Sequence, residues 1–492
     1  MNVSFLQDLL NTVAAQGRQF IPWALGGGED IIELSRALMT GRGEASGVAL
    51  AREILQLYRG QTPAERRAYF KFLAEGLVPH TELVAGRAKA YAEAPSADAL
   101  AALQQAVESP RQEYFRRINL APGATADIVA MRRDILRAMK DAPELRGVDA
   151  DLRHLLGSWF NRGFLVLKRI DWQTPAAILE KIIEYEAVHE IKGWDDLRRR
   201  LVPADRRCFG FFHPSLIDEP LIFVEVALMP EAPAGIDEVL GEMSVVTPGA
   251  GPGPAAAEAS APTTAVFYSI SNCQDGLKGI SFGNFLIKQV VEDLVRELPS
   301  LTTFVTLSPV PGFARWLNGV IAAADPEMIS AADRVALAAL TSPGWHASPA
   351  AENRMRAPLL GLAAKYFLEV KADDRRPLDP VARFHLGNGA RLDRINWLAD
   401  TSVKGLREAH ALMVNYRYDL KEIETNHEAY ANQGKVAASR AVRALLRPSD
   451  RARRGQKPAE PAKPAAITAP AKPQAKLAAP AKSDANGRDP AP

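Results

Sequence analysis

The spacing of apolar side chains predicts helices through the first 200 residues. Between residues 128 and 139 apolar positions recur at intervals of three and four, which places them on one face of a helix. The run Thr-Pro-Ala-Glu at 62–65 is typical of a helix start. Its threonine can cap, its proline suits the first helical position, and its glutamate can complete a capping box. We therefore expect an all-α bundle over residues 1–200.

The pattern changes after residue 200, where short runs of β-branched and aromatic residues replace the helical spacing. The runs RCFGFFHPSL and EPLIFVEVALM are bounded by proline and glycine, as strands are. A strand at 264–271, a glycine-containing turn, a helix at about 282–297 and a strand at 302–308 form a βαβ-like unit. The predicted fold class is α+β, with the helical bundle followed by an α/β domain over residues 201–447.

Two segments have compositions that do not favour a packed core. Residues 230–264 are rich in proline, glycine and alanine, and we expect their second half to be a mobile loop between strands. Residues 448–492 are low in apolar bulk and rich in proline, alanine and lysine. This composition predicts a disordered tail.

Composition limits the kinds of binding partner and the cellular compartment that we expect for this protein. The chain of 492 residues is long enough for more than one domain. A net charge of +2 gives no field that would favour nucleic acid. Two cysteines, Cys208 and Cys273, are too few for a disulfide framework. No apolar run reaches the roughly 18 residues of a transmembrane helix, so we expect a soluble cytoplasmic protein without membrane contact.

The turn that contains Gln274, Gly276, Lys278 and Gly279 is a candidate phosphate site. It lies between a predicted strand and a predicted helix, where backbone amides and the helix N-terminus favour an anion. Such a turn can hold the pyrophosphate of coenzyme A. It matches neither the P-loop nor the dinucleotide fingerprint, so an ordinary strand-to-helix turn is the alternative interpretation.

Two further motifs carry a hydroxyl and an imidazole. Ser308 ends a predicted strand and is followed by a turn with two prolines, which would hold its hydroxyl at the sheet edge. No Gly-x-Ser-x-Gly elbow is present, which disfavours a hydrolase-type nucleophile. His385 stands beside a glycine-rich turn, and histidine suits proton transfer near neutral pH. Taken singly, each of the two residues could be structural instead.

Tyr418 closes the run NYRY and has two interpretations. It is either a core tyrosine with a hydrogen-bonded tip or a group that reaches the reacting atoms. The pair His189-Glu190 lacks a second histidine at the spacing of a metalloprotease, so we predict no metal site.

Together, the motifs resemble those of the malonyl-CoA decarboxylase family. The similarity covers about residues 75–447 and includes HLLGSWFNRGFL, FYSISNCQDGLKGISFGNFLIKQVV, LSPVPGF, PVARFHLGNGA, NWLADTSVKGL and MVNYRYDL, in the family's order. The resemblance implies an N-terminal helical domain used in oligomer contacts and a C-terminal domain with the acetyl-CoA-dependent N-acetyltransferase fold. It implies malonyl-CoA as substrate, acetyl-CoA as product and assembly into a homo-oligomer, a dimer or a tetramer.

The resemblance also assigns site residues. The family's catalytic serine, histidine and tyrosine match Ser308, His385 and Tyr418. Its CoA-binding segment matches Lys278, Gly279, Ile280, Ser281, Phe282, Gly283 and Asn284. Ser281 stands where animal members carry a glutamate.

We expect no cofactor, because the thioester itself can accept the electrons of decarboxylation. Our hypothesis is that Ser308 orients the malonyl carboxylate, that His385 protonates the enolate carbon, and that amides near Gly279 hold the phosphates. Two alternatives stay open at this point. They are an acyl-CoA-dependent N-acyltransferase, which would need an amine acceptor, and a catalytically silent CoA-binding protein.

Overall fold

The computed structural model of this chain describes residues 30–40, 43–241, 261–280 and 286–446. The described residues all belong to one unit, which ends at Leu446. The expected tail, most of the expected mobile loop and the positions from Ser281 to Asn284 lie outside the described residues.

The described chain begins with helices, most of which bury apolar side chains in one core. They are α1 Ile31–Met39, α2 Glu44–Gly60, α3 Pro63–Glu75, α4 Thr81–Glu93, α5 Ala97–Val107, α6 Pro110–Ile118, α7 Ala124–Ala138 and α8 Arg146–Trp159. Thr62 and Glu65 form the predicted capping box at the start of α3. The predicted apolar face of α7 is buried at Ile128, Met131 and Ile135. Burial of these faces, more than helix propensity, stabilises such helices.

The strands after α8 form one mixed sheet. They are β1 Val166–Ile170, β2 Arg206–Phe212, β3 Pro220–Met229, β4 Thr264–Asn272, β5 Thr303–Thr306, β6 Ser308–Pro309, β7 Arg391–Asn396 and β8 Met413–Arg417. Their order is β1-β2-β3-β4-β5-β8-β6, and β7 also pairs with β8. Among the described strands, β4 and β5 form the parallel pair and the other pairs are antiparallel.

Strand β1 lies within the stretch for which the apolar spacing predicted helices. It pairs with β2 from Val166 opposite Phe212 to Ile170 opposite Cys208. Four of its five side chains are exposed or half-buried, so it has little apolar alternation for a sequence pattern to reveal. The sheet thus begins before residue 200, and the exact domain division stays a prediction.

Helices cover the sheet and connect its strands. They are α9 Ala176–Tyr185, α10 Trp194–Leu201, α11 Asp237–Leu240, α12 Leu286–Glu297, α13 Phe313–Ala323, α14 Ala331–Leu337, α15 Pro349–Leu368, α16 Pro380–Gly387, α17 Val403–Ala409, α18 Ile423–Gln433 and α19 Arg440–Ala444. The predicted fold class, a helical region followed by an α/β domain, is confirmed. None of the helices within the described ranges is long and apolar enough to cross a membrane.

The parallel strands β4 and β5 separate part-way along the sheet. They pair from Thr264 opposite Thr303 to Phe267 opposite Thr306, while β4 continues to Asn272. Leu307 still donates from its backbone N–H to the Phe267 carbonyl oxygen at 3.0 Å. No described strand pairs with this edge of β4 beyond that point. The chain after β5 turns instead into β6, which pairs with β8, and an opening forms beside β4.

Candidate active site

Ser308, His385 and Tyr418 form a continuous hydrogen-bonded chain, which we call the Ser–His–Tyr triad. The Ser308 Oγ lies 3.1 Å from His385 Nε2, and His385 Nδ1 lies 2.8 Å from the Tyr418 hydroxyl oxygen. All three side chains are buried. The structure therefore brings together the three predicted catalytic residues, which are far apart in the sequence.

The sheet positions two members of the triad. Ser308 opens β6 and pairs with Val414 of β8. Tyr418 directly follows β8, and its backbone N–H donates to the Phe304 carbonyl oxygen of β5 at 2.9 Å. Because β8 bridges β5 and β6, its register fixes the distance between the hydroxyl groups of Ser308 and Tyr418.

Helix α16 positions the third member. Its N-cap is Asp379, which accepts at Oδ1 from the Ala382 N–H at 2.8 Å, and Pro380 occupies the first turn. His385 lies in the last turn of this helix. The Tyr416 ring stacks on the imidazole, with ring centroids 4.6 Å apart and an interplanar angle of 23°. The imidazole is thus held by both packing and hydrogen bonds.

Burial sets the protonation of the triad. It lowers the pKa of His385 from 6.5 to about 3, because removal from water penalises the charged ring. Burial also raises the pKa of Tyr418 well above its usual value of 10.0. At neutral pH the imidazole is therefore neutral, and the tyrosine keeps its proton.

Thr306 extends the triad, and the sequence reasoning missed it. Its Oγ1 accepts from Ser308 Oγ at 2.8 Å and from the Tyr416 N–H at 3.1 Å. The spacing of two positions from Ser308 was the available signal, since such side chains share one face of an extended chain. A threonine in a strand is otherwise so common that the spacing alone indicates nothing.

A cavity of about 210 Å³ lies against the triad, and Ser308 and His385 line it. Phe267, Ile270 and Phe384 contribute to its largely apolar walls. It is located where β4 separates from β5, so the opening in the sheet gives a small ligand access to Ser308 and His385.

A larger cavity of about 480 Å³ adjoins the first. Asn272 and Phe384 line both cavities. The predicted phosphate turn lines the larger one through Gln274, Lys278, Gly279 and Ile280. The Lys278 side chain is exposed there and carries the positive charge that suits an anionic ligand.

Gly276 lines neither described cavity but packs against helix α7. A Cβ atom at this position would lie 1.9 Å from the Val129 carbonyl oxygen. The buried Arg132 of α7 donates to the carbonyl oxygens of Gly276 and Lys278 at 2.6 and 3.0 Å. Gly276 and Arg132 therefore hold the turn in place, and Arg132 was not singled out from the sequence.

The described residues contain no group of three or more histidine, cysteine, aspartate or glutamate side chains that could hold a metal ion. His189, considered above for a metal motif, is largely buried, and burial lowers its pKa to about 4. The polar groups that line the two cavities are hydroxyls, an imidazole, amides, the Asp275 carboxylate and the cationic side chains of Lys278 and Arg383.

Comparisons with known proteins point to the same family along most of the chain. The profile of the malonyl-CoA decarboxylase N-terminal domain matches residues 78–160, and that of the C-terminal domain matches residues 163–456. The mitochondrial malonyl-CoA decarboxylase of Rattus norvegicus is 37% identical over 354 residues, which cover 68% of this chain and 70% of the rat protein. That of Anser anser anser is 35% identical over 357 residues, or 68% and 69% of the two chains.

Solved structures extend the similarity. The malonyl-CoA decarboxylase of Rhodopseudomonas palustris is 54% identical with a TM-score of 0.79, covering 84% of this chain and 98% of that one. That of Agrobacterium vitis is 53% identical with a TM-score of 0.76, covering 85% and 100%. The resemblance inferred from the motifs is confirmed: the chain belongs to the malonyl-CoA decarboxylase family.

Proposed function

We propose that the protein decarboxylates malonyl-CoA to acetyl-CoA and carbon dioxide, with Ser308, His385 and Tyr418 as its catalytic residues. The observation that carries the proposal is the buried Ser–His–Tyr triad beside a small cavity that adjoins a larger one. Family membership supports the choice of substrate. The reaction consumes one proton, because a C–H bond replaces the bond to the carboxylate.

The two cavities match the two parts of an acyl-CoA. The larger cavity would take the CoA portion, with Lys278 and the backbone at Gly279 near its phosphates. The smaller cavity would take the malonyl group beside Ser308. The segment Lys278 to Asn284 remains the proposed CoA-binding segment, together with Gln274.

Cleavage of the bond between the malonyl carbon and the carboxylate needs a group that accepts two electrons. As the bond to the carboxylate breaks, its electron pair moves into the thioester and forms an enolate, and neutral carbon dioxide leaves. Walls such as Phe267, Ile270 and Phe384 solvate a localised carboxylate poorly. They therefore disfavour the starting charge more than the delocalised enolate. Ser308 is proposed to orient the carboxylate through its hydroxyl.

Protonation of the enolate carbon is assigned to His385. The negative charge of the bound carboxylate raises the pKa of the nearby imidazole from its low value of about 3. The ring then takes up a proton with the substrate and delivers it from Nε2 to carbon. The Tyr418 hydroxyl can donate to Nδ1 or accept from it, so it suits both states of the ring.

An N-acyltransferase would use the same cavities but needs an amine. The test is to incubate purified protein with malonyl-CoA alone and to quantify both products. We expect one acetyl-CoA and one carbon dioxide for each malonyl-CoA consumed. Consumption only after an amine is added would support acyl transfer, and CoA binding without any product would support a silent binding protein. Either outcome contradicts the proposal.

Cytoplasmic location, assembly into a homo-oligomer and activity without a cofactor complete the proposal. They rest on the composition and on the family resemblance described above. Size-exclusion chromatography with light scattering tests the assembly, and a monomer at micromolar concentration would contradict it.

A further inference from the structure

The hydrogen of the Ser308 hydroxyl has a defined direction. Ser308 Oγ donates to Thr306 Oγ1 at 2.8 Å. The same Thr306 oxygen accepts the Tyr416 N–H at 3.1 Å, and the Thr306 side chain is fully buried. The acceptor of the serine hydrogen is therefore fixed by the backbone of β8, which contains Tyr416.

This direction determines the hydrogens on the imidazole. A serine has one hydroxyl hydrogen, so a Ser308 that donates to Thr306 can only accept from His385 Nε2 at 3.1 Å. Nε2 then carries a hydrogen. In the neutral ring Nδ1 has none, and it accepts from the Tyr418 hydroxyl at 2.8 Å.

We propose that Thr306 is a positioning residue that holds His385 as the Nε2–H tautomer. The hydrogen bonds then run in one direction, from Tyr418 through His385 and Ser308 to Thr306. In serine hydrolases the corresponding bond runs the other way, because histidine accepts the serine proton. Thr306 thus makes the His385 nitrogen that contacts Ser308 a hydrogen donor.

The inference rests on the proposed function for its catalytic meaning. It also gives Ser308 a way to change partners. When a carboxylate enters the cavity, the Ser308 hydrogen can rotate from Thr306 to the carboxylate. The Ser308 oxygen continues to accept from His385 Nε2, so Nε2 keeps its hydrogen while the ring takes up its second proton at Nδ1 beside Tyr418.

The test combines two variants at one position. Thr306→Val removes the acceptor and keeps nearly the same shape, whereas Thr306→Ser keeps the acceptor and removes a methyl group. Nitrogen-15 NMR of histidine-labelled protein reads the tautomer directly, and the His385→Gln spectrum identifies the His385 signals. We expect protonated Nε2 in the wild type and in Thr306→Ser, and a shift toward protonated Nδ1 in Thr306→Val.

Turnover of malonyl-CoA provides the second readout. We expect kcat to fall about tenfold or more in Thr306→Val. A positioned general acid contributes a rate factor of about 10²–10⁴, and loss of the correct tautomer should remove part of it. Thr306→Ser should stay within about threefold of the wild type, since its acceptor is intact.

Three outcomes would overturn the inference. They are a wild-type His385 protonated at Nδ1, an unchanged tautomer in Thr306→Val, and equal losses of kcat in both variants. The wild-type tautomer decides the matter even if Thr306→Val fails to fold. A wild type that does not turn over malonyl-CoA would contradict the proposed function instead, and the NMR result would still stand.

Discussion

The His385 side chain is fixed on three sides. Tyr416 stacks on the ring face, and the two ring nitrogens contact Ser308 and Tyr418. No described charged group contributes to its low pKa, so burial alone accounts for the shift. A bound substrate carboxylate would therefore add a negative charge next to an imidazole whose pKa is otherwise set by burial alone. This charge links proton uptake by the ring to substrate binding.

Removal of the Tyr418 hydroxyl tests the outer end of the triad. Tyr418→Phe keeps the ring packing but leaves His385 Nδ1 buried without its partner. We expect kcat to fall about tenfold to a hundredfold, with little change in the Kd of acetyl-CoA. Steady-state kinetics and calorimetry measure the two quantities.

Tyr430→Phe is the matched control for this prediction. The Tyr430 hydroxyl is buried next to the end of α16, and no group within the described residues hydrogen-bonds to it. We expect wild-type turnover from this variant. If Tyr418→Phe were as active as Tyr430→Phe, Tyr418 would have no part in the reaction.

At the residue level, the sequence indicated which residues are candidates for catalysis but not which of them are in contact. Ser308, His385 and Tyr418 were found through the family motifs, and their separations of 77 and 33 positions gave no distance between side chains. Thr306 was missed because a threonine in a strand is ordinary, and only the fold shows that Tyr416 and Ser308 both donate to it.

Among the elements, the turn after β4 depends on contact with helix α7. Arg132 holds the carbonyl oxygens of Gly276 and Lys278, so the helical region supports a wall of the larger cavity. The turn was predicted as a ligand site, and Lys278 and Gly279 do line a cavity. The packing of Gly276 against Val129 depends on a helix 147 positions earlier, which no local pattern reveals.

We predict that Gly276→Ala lowers both the stability and the affinity for CoA. Its Cβ would clash with the Val129 carbonyl oxygen, and such overpacking costs about 1–3 kcal/mol of unfolding free energy. Displacement of the turn should also weaken CoA binding. Urea unfolding and calorimetry with CoA measure these effects.

Gly319→Ala in helix α13 provides the control. Gly319 lies on the exposed side of α13, with nothing within 4 Å of an added Cβ. Alanine there should raise the unfolding free energy by about 0.5–1 kcal/mol, because it restricts the unfolded chain. A Gly276→Ala protein as stable as Gly319→Ala would show that the close approach to Val129 is absent.

Strands show where sequence patterns succeed and fail. Strand β4 was predicted at its correct position because its apolar run is almost entirely buried. Strand β1 was missed because it lies at the sheet edge with mostly exposed or half-buried side chains. A strand that is buried on both faces has a continuous run of apolar residues, which is easy to recognise in the sequence. An exposed strand lacks such a run.

At the scale of the molecule, the largest hydrophobic cluster among the described residues spans both the helical region and the sheet. The same cluster includes Leu34 of α1, Ile128 of α7 and Tyr416 of β8. The fold class was predictable because apolar periodicity is local. The shared core was not, because it depends on contacts between residues hundreds of positions apart.

Buried histidines should make this molecule sensitive to acid. Burial lowers the pKa of His385 to about 3 and the pKa values of His189 and His410 to about 4. Below pH 6.5 the unfolded chain gains protons that the folded chain does not bind. The free energy of unfolding should therefore fall as the pH drops from about 6.5 toward 4, which urea titrations at several pH values can measure.

His410→Asn isolates one contribution to this acid sensitivity. His410 has a left-handed backbone with φ of 48°, which asparagine tolerates well. The quantity to compare is the unfolding free energy of the variant minus that of the wild type. We expect this difference to rise by about 3 kcal/mol between pH 7.5 and pH 4, from a pKa difference of about 2.5. Parallel curves for the two proteins across this range would contradict the role of His410.

The most direct test of the central claim is the kcat of His385→Gln at saturating malonyl-CoA. Glutamine keeps a polar side chain but cannot protonate carbon. We predict a fall of about 10²–10⁴-fold in acetyl-CoA formation. The Kd of acetyl-CoA should change little, because the proposed CoA contacts lie in the neighbouring cavity. A variant that forms acetyl-CoA at the wild-type rate would contradict the assignment of His385 as the proton donor.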